Sequence, residues 1–335
     1  MRKFILTIIC IISGASFLSA CAEEDEYLTI DEVRADTTII SDSTFINDTI
    51  ISKGDTIIKI DTIIKQDTVI KTDTVKKASL EITLYMNQES GNASIQGSAV
   101  HNDFLFEFSP SASSVFIYNL KDRVFVQSVK ITKNSQDHFN NASFGSFYDI
   151  NDEFPLLYLS GGNATYNPID VYRITKKDNS FYFEKIQHIS LPVSNDNNMI
   201  YWTSVMVDKA NNYLYAYSYY NGNVYLSKYY IPSYDTDNIQ LTDADILENI
   251  KIDSFTNKQG ATIKDDCIFM ATGIPGQEET TLRIYDLTTK KRKFFFSFRN
   301  YGFYYEPEGI SFYGDNMILS SQKGRGIYLV KFMNI

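Results

Sequence analysis

The chain has 335 residues, 44% of them apolar and 14% aromatic, with 24 Tyr and 23 Phe against 7 Pro. That length supports one sizeable domain plus an accessory segment. A formal net charge of -10 argues against a nucleic-acid partner, which requires a basic face. The three cysteines form no CxxC pair and no cluster with His, so the sequence offers no metal site, and no motif in it calls for a cofactor.

Arg2 and Lys3 open the chain as a positive n-region. The apolar run FILTIICIISGASFL (4–18) follows as an h-region shorter than a comfortable membrane span. Leu18, Ser19, Ala20 and Cys21 come next. This stretch resembles the bacterial lipoprotein signal, which implies cleavage before Cys21 and lipidation of its thiol. A Cys directly after an h-region has no packing reason to be there. The alternative is an ordinary secretory signal cut near Ala20 or Ala22. Several acyl chains on one residue anchor a protein to a membrane stably, which one chain does poorly. The acidic run AEEDE (22–26) resembles the surface-export signal of Bacteroidetes lipoproteins. It implies a lipid-anchored protein of the outer membrane facing the exterior, with an outer-membrane protein as a further partner. A solvated periplasmic spacer is the alternative.

From residue 36 to 78 the chain repeats. Asp36, Asp42, Asp48, Asp55, Asp61, Asp67 and Asp73 recur at steps of six or seven. At 100° per residue a six-residue step scatters the apolar positions around a helix axis, and the β-branched Thr, Ile and Val disfavour helix. With no Gly-Asn or Asp-Gly turn to make hairpins, the expectation is an extended, solvated rod of at most roughly 140 Å, at about 3.3 Å per residue. Every unit reads Asp, then Thr or Ser, then an aliphatic residue or Thr. This resembles the O-glycosylation sequon of Bacteroidetes, which implies sugars on Thr37, Ser43, Thr49, Thr56, Thr62, Thr68 and Thr74. Sugars would cover the aliphatic groups and block strand-to-strand association. An unmodified linker and a β-fibrous oligomer are the alternatives.

From residue 79 to 335 aromatic density rises and short alternating strands follow one another, separated by turns such as NLKDR (119–123), DKANN (208–212) and YGDN (313–316). No segment offers a long amphipathic helix, so this part is all-β. IQGSAV (95–100), SFGSFY (143–148), WTSVMV (202–207), KQGATI (258–263) and PEGISF (307–312) resemble one another, with small residues at Gly97, Gly145, Ser204, Gly260 and Gly309. Three further strands follow each start, except in the last unit, where the fourth strand is supplied by LEITLYM (80–86). Four strands per unit and five units predict a five-bladed β-propeller closed by its N-terminal strand. Six blades or a sandwich are the alternatives. Cys267, alone in DDCIFMATG, is expected as a small core residue.

The unit EPEGISF (306–312), with Gln96-Gly97 and Gln259-Gly260, resembles a five-bladed propeller family of helveticin-J-type bacteriocins, teichoic-acid-biosynthesis proteins and phage receptor-binding domains. Phe144 and Thr203 depart from its Gln or Glu. The resemblance implies binding to a cell-surface glycan or glycopolymer. The residues preceding the small ones, Gln96, Phe144, Thr203, Gln259 and Glu308, are expected to face one mouth of the central channel. Amides, a hydroxyl and a carboxylate there suit a polyol or a cation, and Trp202, Tyr304 and Tyr305 would stack on sugar faces. Alternatively the Gln and Glu side chains satisfy backbone groups between blades. His101, His138 and His188 fall in separate units, and His101, in a turn, is expected to be solvated. No GxSxG, HExxH or phosphate loop is present. An enzyme acting on extracellular carbohydrate and a protein–protein adaptor are the competing functions.

Overall fold

The computed structural model describes residues 49–53, 56–60, 72–89, 94–110, 114–131, 138–148, 152–162, 168–192, 204–220, 223–252, 257–322 and 325–335. It divides into two units, one of Leu80–Phe332 and one of Met1–Ser79 with Met333–Ile335. Cys10, Cys21, the signal, the acidic run, Thr37, Ser43, Thr62, Thr68, Trp202 and Thr203 lie outside the described residues.

The described part of the repeat corrects the expectation of an unpaired rod. β1 (Thr49–Lys53), β2 (Thr56–Ile60) and β3 (Thr72–Lys76) form a three-stranded antiparallel sheet in the order β1-β2-β3. Lys53 of β1 pairs with Thr56 of β2, so the two strands form an antiparallel hairpin although the sequence offers no Gly-Asn or Asp-Gly turn there. Thr49, Thr56 and Thr74 sit on these strands opposite Ile60, Lys76 and Ile58 respectively.

The larger unit is an all-β, five-bladed propeller of four-stranded sheets. The first blade holds β5 (Ser98–His101), β6 (Phe104–Phe108), β7 (Ser114–Asn119) and β8 (Val124–Lys130). The second holds β9 (His138–Phe144), β10 (Leu157–Gly162), β11 (Pro168–Lys177) and β12 (Ser180–Ser190). The third is β13 (Val205–Asp208), β14 (Tyr213–Tyr220), β15 (Asn223–Tyr230) and β17 (Glu248–Ile252). Between its last two strands the chain lends β16 (Asn238–Gln240) to the second blade, where it lies parallel to β12 as a fifth strand. The fourth blade is β18 (Lys258–Lys264), β19 (Cys267–Thr272), β20 (Thr281–Asp286) and β21 (Lys291–Ser297). The last is β22 (Pro307–Tyr313), β23 (Asn316–Ser321) and β24 (Ile327–Met333), completed by β4 (Ser79–Met86). The N-terminal strand therefore closes the ring, as the sequence predicts.

The first strand of each blade is innermost, and the small residues are explained by crowding there. A Cβ added to Gly97 would lie 2.7 Å from Asn141 Cα, one on Gly260 2.7 Å from Gly309 Cα, and one on Gly309 2.7 Å from Ser98 N. Only glycine permits these approaches. Blade two is the exception and corrects the sequence alignment of the units. Its inner strand is β9, in which Asn140 is bulged as Glu308 is in β22, so that Asn141, and not Gly145, is the counterpart of Gly309. Gly145 lies past the end of β9, with the Tyr158 ring beside it.

The core is distributed between blades. Phe106, Phe108 and Ile117 of the first blade pack on Phe139, Phe144, Phe154 and Tyr172 of the second. Ile169, Val171 and Ile189 of the second meet Val205, Val207 and Leu214 of the third. Phe106 stands edge-on to Phe144, Phe154 and Phe181 at 5.5, 5.8 and 5.7 Å between centroids. Each such buried side chain contributes about 1.5–3 kcal/mol by leaving water. Cys267 is a buried free cysteine, as expected.

Candidate functional site

The inner strands run in one sense, so their N-terminal ends make one mouth and their C-terminal ends the other. Gln96, Gln259 and Glu308 do gather at the N-terminal mouth. Gln96 Nε2 donates to Glu308 Oε2 at 2.8 Å, joining blades one and five. Gln259 Nε2 donates to Glu306 Oε1 at 2.8 Å, joining blades four and five. Gln259 and Glu308 are buried. The amides are thus committed to carboxylates across blade boundaries. Tyr304 is 59% exposed beside this mouth, and Tyr305 packs on Phe303 and Tyr328. Phe144 does not belong here. The register of β9 carries it to the other end of its strand, where it is buried in the apolar cluster between blades one and two.

Midway along the axis Asn141 fills the channel. It is wholly buried, and its Nδ2 donates to Val205 O and to Ala261 O, each at 2.8 Å. Its Oδ1 accepts from Ala261 N at 3.2 Å. Ser160 Oγ donates to Asn141 O at 3.1 Å and accepts from Val205 N at 3.2 Å.

Beyond this plug, at the C-terminal ends of the inner strands, the molecule is concave. A bowl of about 690 Å³ is lined by His101, Asn102, Asp103, Lys209, Phe312 and Tyr313 among others. It shares Val100, Lys209 and Phe312 with a slot of about 110 Å³, to which all five inner strands contribute. Within the slot Ser143 Oγ accepts from Val207 N at 3.0 Å and Ser311 Oγ from Val100 N at 2.9 Å, so hydroxyls link neighbouring inner strands.

The rim carries both charges. Lys264 Nζ is held by Gly314 O at 2.8 Å and Asp315 Oδ1 at 3.0 Å. Tyr313 donates to Asp103 Oδ1 at 2.9 Å, and its hydroxyl is pushed up to about 12 by desolvation and then by that carboxylate. Lys209 is exposed, its ammonium 5.8 Å over the Phe144 ring, with no acidic partner among the described residues. His101 is not the solvated turn residue the sequence suggests. Its ring is half-buried against Phe144, Phe154 and Tyr148 at 5.3, 5.5 and 5.9 Å. Burial, and then the Lys209 charge, lower it to about 4, so it is neutral at neutral pH. The site is an aromatic and polar bowl that carries the Lys209 ammonium and the Asp103 carboxylate on its lining.

The sequence did carry a signal for this mouth. The inner strands β5, β13, β18 and β22 each end in a polar turn, and the turns around Asn102, Lys209 and Gly314 converge because five strands of one sense share an axis.

No family model matches the chain, and no curated protein matches its sequence. Solved structures similar to it include the PQQ-bound aldose sugar dehydrogenase of Streptomyces coelicolor, at 10% identity and a TM-score of 0.46 over 77% of this chain and 99% of that one. The glutaminyl cyclase of Myxococcus xanthus gives 10% and 0.46 over 76% and 97%. The virginiamycin B lyase of Staphylococcus aureus gives 11% and 0.42 over 77% and 100%. These are likenesses of overall fold, and no activity or ligand is carried over from them.

Proposed function

We propose that the protein is a cell-surface lipoprotein whose propeller binds an acidic glycan or glycopolymer in the bowl at the C-terminal ends of its inner strands. Cys21 carries the lipid, the acidic run directs the protein to the outer face of the outer membrane, and the sugar-bearing Asp-Thr repeat separates anchor from propeller. Lipoprotein and sequon resemblances in the sequence support this part. The observation that supports the binding site is the Lys209 ammonium, without a carboxylate partner among the described residues, above a bowl faced by His101, Phe312 and Tyr313. Rings supply stacking faces for a pyranose, Asn102 and Asp103 supply polar contacts for its hydroxyls, and Lys209 supplies the counter-charge for a uronate or phosphate.

The test is a binding screen of the full chain against acidic and neutral glycans, beside Lys209→Ala and Glu308→Ala. Binding of acidic glycans that Lys209→Ala weakens at least about tenfold, and Glu308→Ala leaves unchanged, supports the bowl; about 1.4 kcal/mol is the corresponding free energy. Binding weakened by Glu308→Ala and Gln259→Ala instead transfers the site to the N-terminal mouth, with Gln96, Tyr304 and Tyr305 as the next residues to vary and Trp202 and Thr203, outside the described residues, as the sequence's further candidates. No glycan binding rejects the reading.

A further inference from the structure

Away from both mouths, blade two brings together three side chains that the sequence scatters. Asp170 on β11 and His188 on β12 are direct cross-strand partners, and Ser190 lies two residues further on the same face of β12. Asp170 Oδ1 stands 2.7 Å from His188 Nδ1, and Ser190 Oγ stands 3.4 Å from His188 Nε2. The carboxylate is 2% exposed, while the imidazole and the hydroxyl are half-buried. Lys185 Nζ, 3.5 Å from Asp170 Oδ1, supports the charge of the carboxylate.

The backbone beneath is fixed on both sides. β16 lies against β12 with His188 opposite Asn238 and Ser190 opposite Gln240, and His188 N donates to Asp237 O at 2.7 Å. Leu241 N donates to Ser190 O at 2.9 Å. The added fifth strand of this blade therefore covers the edge of β12, which carries His188 and Ser190, and no other described blade has one.

We propose that Ser190, His188 and Asp170 form an acyl-transfer site that hydrolyses small carboxylic esters. Asp170 accepts from His188 Nδ1, which leaves Nε2 to accept from Ser190, the tautomer that general-base catalysis requires. Ser190 Oγ adds to the carbonyl carbon of the ester while its proton passes to His188 Nε2. The tetrahedral adduct collapses, the alkoxide departs with the proton from His188, and an acyl ester of Ser190 remains. Water, deprotonated by the same Nε2, then attacks that ester and releases the carboxylic acid and the free hydroxyl. The Ser190–His188 distance is that of a resting relay, which tightens with substrate bound. An ester on an exposed hydroxyl, such as an O-acetyl group of a sugar, fits a half-buried nucleophile with an alkoxide to expel. This inference stands apart from the glycan site, since none of its three residues lines the bowl.

The experiment is fluorophosphonate labelling of the full chain with mapping of the modified peptide, together with turnover of p-nitrophenyl acetate. Label on Ser190, lost in Ser190→Ala, and labelling slowed about 10²-fold or more in His188→Ala and in Asp170→Asn, is the expected result. Ser190→Cys keeps the side-chain shape and supplies a second readout. Its thiol should be alkylated faster by iodoacetamide than when His188→Ala is added, because the imidazole draws the thiolate out. Label elsewhere, turnover unchanged in Ser190→Ala, or alkylation of Ser190→Cys indifferent to His188→Ala would each overturn the proposal.

Discussion

Asn141 and Ala261, 120 positions apart, hydrogen-bond each other twice on the propeller axis: the carboxamide donates to Ala261 O at 2.8 Å and accepts from Ala261 N at 3.2 Å. With the further bond to Val205 O, one side chain ties blades two, three and four. In a fully buried position each lost bond also strands a backbone group. Asn141→Ala is therefore expected to lower stability by about 3–5 kcal/mol. Asn141→Asp should not rescue it, because it loses both donated bonds and buries a charge. Urea unfolding followed by tryptophan or tyrosine fluorescence measures both.

The glycines of the inner ring make a second prediction. Gly309→Ala places a Cβ 2.7 Å from Ser98 N, and Gly260→Ala places one 2.7 Å from Gly309 Cα. Backbone must move in both, at about 1–3 kcal/mol each. The two sites touch, so the double variant should fall short of the sum. Gly276→Ala is the contrasting case: nothing lies within 4 Å of its added Cβ, and its penalty comes only from a φ of +87°.

Glu107 gives the stability a pH dependence. It is wholly buried, Gln88 Nε2 donates to its Oε1 at 2.8 Å, and burial, opposed by Ser320, Gln88 and Tyr118, pushes it up to about 7 from 4.5. The folded value is raised above the unfolded one. Its contribution is then fully present below about pH 4.5 and lost as pH rises through about 7, a span on the order of 3 kcal/mol. Glu107→Gln keeps an acceptor for Gln88 and removes the titration. Its gain over the natural chain should be larger at pH 8 than at pH 5, which denaturation midpoints at the two values test.

Ring closure by β4 predicts a loss larger than its own contacts. Leu80 is buried in that strand, and detaching the strand would bare the edge of β24. Leu80→Asp should give a chain that elutes as soluble aggregate in size-exclusion chromatography, with Leu80→Ala destabilised by about 2–3 kcal/mol but monodisperse relative to it.

In the bowl, His101 at about 4 stays neutral from pH 8 to pH 5, so affinity for an anionic ligand should not rise over that interval. A rise of tenfold on acidification would show that the imidazole charges on binding. Calorimetric titration at the two pH values distinguishes these.

Much of this molecule is written in local pattern. Alternating apolar runs, turn residues and a recurring small residue made the five blades and their closing strand legible, because each depends on neighbours a few positions away. Gln96, Gln259 and Glu308 were placed at a common mouth for the same reason. The pairing of β1 with β2 was not legible, because the sequence offers no Gly-Asn or Asp-Gly turn between them.

Other features were settled only in three dimensions. The second inner strand is shifted so that Asn141, four residues before Gly145, takes the position of Gly309, and that placement is decided by pairing with β10 rather than by the residues of β9 alone. That shift takes Phe144 out of one mouth and gives His101 its aromatic wall. The proximity of Asp170, His188 and Ser190 likewise follows from the register of β11 on β12. Sequence determined which segments are strands and that five units share an axis, since periodicity is a local property of a chain. Tertiary structure decided what meets on that axis and at its ends, since a one-residue change of register turns every side chain of a strand to the other face.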